Sequence, residues 1–71
     1  MKDTFFIHIV GNDEQLRVAA RFLMDNRIGF RYSGKQKRIS LFQRSASTIS
    51  IVERQMAIYH IRVKRAYYDN N

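Results

Sequence analysis

The chain has 71 residues, no cysteine and no proline, and 13 Lys/Arg against six Asp/Glu, for a formal charge of +7. That length allows a single domain, the missing cysteines exclude disulfides and thiolate metal sites, and surplus like charge in a small domain points to a polyanion or an acidic protein surface as partner. No apolar run approaches the ~20 residues of a membrane span, and Met1–Asp3 lacks the basic-then-apolar start of a signal peptide, so a cytoplasmic protein that does not enter membranes is expected.

Thr4–Val10 (TFFIHIV) is aromatic and β-branched and predicts a strand. Gly11 and Asn12 close it. Asn12 suits a helix N-cap, with Asp13 and Glu14 well placed near the positive end of the helix dipole. Leu16, Ala19, Ala20 and Leu23 recur at helical spacing, with Glu14, Arg17, Arg21 and Asp25 on the opposite stripe, which predicts a helix to about Asn26. Ile28–Ser33 alternates as a second strand. Gly34 and Lys35 form a short turn, and Lys37–Gln43 alternates again as the other arm of a hairpin.

Ser45–Ser50 is rich in capping residues, and Ser50-Ile51-Val52-Glu53 has the spacing of a capping box. Ile49, Val52 and Met56 follow as a short apolar stripe, predicting a second helix. From Ile58 onward the β-branched and aromatic content, and the alternation of Tyr59, Ile61 and Val63 with His60, Arg62 and Lys64, predict a fourth strand. The competing reading gathers Val52, Met56, Tyr59, Val63 and Tyr67 on one face of a long C-terminal helix, which would make the fold βαββα. Tyr67–Asn71 is expected to fray.

The order β-α-β-β-α-β is the α+β ferredoxin-like arrangement, an antiparallel sheet in the order 4-1-3-2 with two helices on one face. Strand alternation then divides the sheet. Phe5, Ile7, Ile9, Ile28, Phe30, Tyr32, Ile39, Leu41, Tyr59, Ile61 and Val63 would meet the helices. Phe6, His8, Val10, Arg31, Ser33, Arg38, Ser40, Phe42, His60, Arg62 and Lys64 would form the other face. Two phenylalanines among basic residues on an uncovered face have no structural need to be there. Aromatic rings stack on unpaired bases while neighbouring Arg and Lys meet phosphates.

Charge is uneven along the chain as well. Met1–Gly34 holds five Lys/Arg and four Asp/Glu, whereas residues 35–71 hold eight and two. The expectation is a small, non-catalytic, regulatory module that binds RNA or single-stranded DNA through Phe6, His8, Arg31, Arg38, Phe42, His60, Arg62 and Lys64. Lys35 and Lys37 at the hairpin turn, and Arg65 at the end of strand four, would extend the phosphate track. The arrangement resembles the RNA-recognition-motif architecture in topology and in its aromatics on strands one and three. The third-strand run Lys37-Arg38-Ile39-Ser40-Leu41-Phe42 departs from that family in keeping one aromatic and lacking the glycine.

Other readings compete. Phe6 and Phe42 would equally suit a homodimer that closes two open sheets face to face. The basic surface would also suit a small effector that docks on and regulates a larger acidic protein, such as a polymerase or nuclease. His8 and His60, expected on adjacent strands, lack a third ligand for a metal. No serine elbow, phosphate-cradling glycine loop or paired helical histidines are present, so neither an enzyme nor a cofactor is expected.

Overall fold

Ile7 and Ile9 in the first strand and Ile39 and Leu41 in the third each stand two residues apart, and this decides which face of the sheet is covered. The computed structural model describes residues 4–43 and 45–68. These form β1 (Thr4–Val10), α1 (Asp13–Asp25), β2 (Arg31–Ser33), β3 (Arg38–Gln43), α2 (Ala46–Ile58) and β4 (Arg62–Tyr68). The strands make one antiparallel sheet in the order β2-β3-β1-β4. This is the α+β ferredoxin-like fold. Ile7 and Ile9 of β1 and Ile39 and Leu41 of β3 are fully buried beneath Leu16, Ala19 and Leu23 of α1 and Ile49, Val52 and Met56 of α2. Burying each of the larger aliphatics contributes ~1.5–3 kcal/mol. Phe5 was expected among them, but its side chain lies outside the described residues. Among the described residues no helix is long and apolar enough to cross a membrane.

Both helices start on a side-chain cap. Asn12 Oδ1 accepts from the Gln15 backbone N–H at 2.8 Å, and Gln15 Oε1 accepts from the Asn12 N–H at 2.9 Å, which closes a capping box. Gly11 is needed beside it, because a Cβ there would stand 2.5 Å from Gln15 Oε1. In α2 the cap is Ser45, whose Oγ accepts from the Thr48 N–H at 3.3 Å. The capping box expected at Ser50–Glu53 is therefore corrected: Ser50 is inside the helix, and the serine five residues earlier does the capping.

The helix ends explain where the strands begin. At the end of α1 the Ile28 N–H donates to Leu23 O (2.8 Å) and the Arg27 N–H to Met24 O (3.1 Å), with Arg27 in the left-handed region at φ 57°. At the end of α2 the Ile61 N–H donates to Met56 O (2.8 Å) and the His60 N–H to Ala57 O (3.0 Å), with His60 at φ 61°. These are two Schellman closures with the same pattern, and each tucks an isoleucine, Ile28 or Ile61, back against the core. They correct two expected boundaries. β2 begins at Arg31 and not at Ile28, and β4 begins at Arg62, so Tyr59 and His60 belong to the turn. The long C-terminal helix is ruled out, since α2 stops at Ile58 and the chain continues as strand through Tyr68.

Two residues expected in the core are elsewhere. Tyr59 caps α2 and is 40% exposed, and Tyr32, on the short edge strand, is 54% exposed. The hairpin turn is also longer than expected, spanning Gly34–Lys37, with Lys37 at φ 55° and the Gln36 N–H donating to Ser33 Oγ at 3.2 Å.

Candidate nucleic-acid interface

Strand register fixes what lies on the face away from the helices. Phe6 stands opposite Phe42, His8 between Ser40 and Lys64, and Val10 between Arg38 and Arg62. Arg31 pairs with Ser40 and Ser33 with Arg38. The residues between them, Ile7, Ile9, Ile39 and Leu41, are in the core, so the paired set must point the other way.

Three rings adjoin on the two central strands. Phe6 and Phe42 meet edge to face, with centroids 4.7 Å apart and planes at 60°. His8, two residues along β1 from Phe6, lies parallel to it at 6.0 Å and 7°. The His8 ring is held by a 3.0 Å hydrogen bond between Nδ1 and Ser40 Oγ. Phe6 and His8 are half-buried by these neighbours, whereas Phe42 keeps 56% of its surface open to solvent. Burial, and then the nearby charges of Arg38 and Lys64, hold the His8 imidazole below the ordinary histidine range. Both effects favour the neutral imidazole.

Charge is divided between the two layers of the molecule. The acidic residues described, Asp13, Glu14, Asp25 and Glu53, all sit on helices. The open face carries Arg31, Arg38, Arg62 and Lys64 and, among the described residues, no carboxylate. Beside the rings, on the β2 side, lies an open depression of about 770 Å³ lined by Phe6, His8, Gly29, Phe30, Arg31, Arg38, Ser40, Leu41 and Phe42.

The structure thus brings together Phe6, His8, Arg31, Arg38, Phe42, Arg62 and Lys64. It separates the other four residues expected at the site. His60 lies in the turn before β4, so it does not share a face with His8; its carbonyl instead faces Gln15 Nε2 at 3.5 Å. Arg65 stands opposite Ile7 in the register and so faces the helices. There it makes a two-pronged ion pair with Glu53 of α2 (2.6 and 2.8 Å), which holds the Glu53 carboxyl below the usual range. Lys37 reaches Asp13 of α1 at 2.9 Å, and that hydrogen bond raises its pKa. Lys35 is exposed at the hairpin tip.

Sequence reasoning missed Gly29 and Phe30 as lining residues, because it continued β2 through them. Once β2 is only three residues long, the chain before it no longer covers β3, and the depression opens at that step. The Phe30 side chain packs partly against the core while also lining the depression. Ser40 was expected on the face but not as the partner of His8. Comparison with protein-family models, curated proteins and solved structures finds no match.

Proposed function

We propose that the open sheet face binds single-stranded nucleic acid, RNA or DNA, as a non-catalytic module. The observation that carries this reading is a half-exposed Phe42, braced by Phe6, at the end of two rows of cations on a face without a described carboxylate. An unpaired base laid on an aromatic ring gains ~1–3 kcal/mol, whichever base it is. The edge-to-face contact restricts the Phe42 ring before a base arrives, so less side-chain freedom is lost on binding. Arg31 and Arg38 lie on the β2–β3 side of the rings, and Arg62 and Lys64 on the β4 side. A strand that runs from the phenylalanine row toward Val10 therefore passes cations on both flanks. A duplex hides its base faces and gains only the phosphate contacts. The reading sets the protein in the cytoplasm, which suits a chain without cysteine.

The test is a fluorescence-anisotropy titration of labelled single-stranded RNA, single-stranded DNA and duplex DNA at two salt concentrations. Single strands should bind more tightly than duplex, and binding should weaken as salt rises. Phe6→Ala combined with Phe42→Ala should keep the circular dichroism spectrum and lose most of the single-strand preference. Absence of binding to all three ligands would refute the proposal and make an acidic protein the partner to look for.

A further inference from the structure

The walls of the depression beside Phe42 are chemically unequal. Phe42 and Phe30 give it apolar sides, Ser40 and His8 give it polar atoms, and Arg31 and Arg38 stand at it as two guanidinium groups. At about 770 Å³ it falls within the range of small-ligand sites, which span ~300–1,000 Å³. That is room for one nucleotide.

We infer that this depression is the specificity pocket of the face: it takes a single unpaired nucleotide of the bound strand, with the base against Phe42 and Phe30 and the phosphate between Arg31 and Arg38. The inference rests on the single-strand reading above and adds a location to it. Guanidinium groups suit the second half of the task, because each offers a planar fork of donors matching two phosphate oxygens. The Ser40 hydroxyl already shares one hydrogen bond with His8 Nδ1, so what it still offers a base edge is fixed by that partner, and the pocket discriminates between base edges on this one polar atom. The pocket exists because β2 is short. Had the strand run back to Ile28, its ladder would have covered the edge of β3 where the depression now lies.

Gly29 makes this testable without disturbing the core. A Cβ placed on it meets no atom within 4 Å, and its φ is an ordinary one, so a side chain there projects into open space at the pocket wall. Gly29→Leu should leave the melting temperature unchanged and weaken binding of a labelled eight-nucleotide single strand at least about fivefold, the loss of one stacked base. A ¹⁵N-labelled sample of the whole chain supplies a second measurement, independent of the variant. Adding the same octanucleotide should shift the backbone amides of Gly29, Arg31, Ser40 and Phe42 most strongly.

Outcomes separate cleanly. If the octanucleotide binds, Gly29→Leu binds equally well, and the shifts gather at Phe6, His8 and Lys64 while Gly29 stays still, the pocket is refuted and the sheet face stands. If free mononucleotides bind as tightly as the octanucleotide, the site serves a small ligand and the inference is overturned. If the wild-type chain binds no single strand, the underlying reading fails and takes the pocket with it.

Discussion

Consider removing Arg38 from the open face and, separately, Lys37 beside it in sequence. The two neighbours point to opposite layers: Arg38 flanks Val10 and Ser33 on the open face, whereas Lys37 is tied to Asp13 on α1. Each phosphate neutralised on a single strand lowers the logarithm of the affinity by ~0.7 per tenfold rise in salt. The four cations of the described open face, Arg31, Arg38, Arg62 and Lys64, give a slope of about −2.8 if all engage. A fourfold rise from 50 to 200 mM salt then weakens binding about 50-fold. Arg38→Gln should reduce the slope to about −2.1 and the loss to about 18-fold, while Lys37→Gln leaves both unchanged. The assay is anisotropy at five salt concentrations with each variant. A wild-type slope near zero, or equal effects from Lys37 and Arg38, would refute the assignment of the open face as the phosphate track.

Three further outcomes follow from local geometry. Arg27→Gly and His60→Gly should each raise stability by ~0.5–1 kcal/mol, roughly 2–8 °C in Tm, because glycine takes the left-handed C-cap conformation without the Cβ penalty; calorimetry on each variant checks this, and a lower Tm would mean the side chain contributes something the backbone argument omits. Gly11→Ala should cost ~0.5–2 kcal/mol by pushing Gln15 out of the capping box, read as a lower urea midpoint. Stability should fall as pH drops below 6.5. The folded His8 binds protons less readily than the unfolded one, so its contribution is present above the unfolded pKa and lost as pH falls through the depressed folded value. His8→Gln should remove that limb of a urea-midpoint-versus-pH curve, leaving the fall at carboxylate pH to which the depressed Glu53 contributes.

The elements with strong periodicity were legible in the sequence, and so was the strand order. Ile7, Ile9, Ile39 and Leu41 alternate cleanly and proved to be core. Leu16–Leu23 and Ile49–Met56 marked the buried stripes of both helices. The boundary errors share one cause. Ile28 and Ile61 are apolar because each folds under the last turn of a helix, five residues beyond Leu23 and Met56, and not because they alternate within a strand. Tyr59-His60-Ile61 looks like strand alternation for that reason alone. A cue was available in the i, i+5 spacing of Leu23–Ile28 and Met56–Ile61, although without a glycine at either C-cap the usual punctuation was missing. For the site, alternation placed Phe6, His8, Arg31, Arg38, Phe42, Arg62 and Lys64 on one face. The same alternation, carried one residue past Lys64, puts Arg65 with Val63 on the helix side; what it could not reveal is that Arg65 and Lys37 find Glu53 and Asp13, since an ion pair depends on tertiary distance.

The separation of charge by layer also affects motion before contact. Among the described residues the helices carry carboxylates and arginines (Arg17, Arg21, Arg54) in near balance while the far side of the sheet carries four cations and no carboxylate, so the surplus positive charge lies on the open face and gives the molecule a charge asymmetry across the sheet. Within a screening length of ~8–10 Å of a polyanion, that asymmetry produces a torque which turns the sheet toward the negative charge. Most random approaches of a small protein arrive with the wrong side forward, and rotation under such a torque corrects them during the encounter. The layered charge therefore acts chiefly on the association rate constant, and it acts most at low ionic strength.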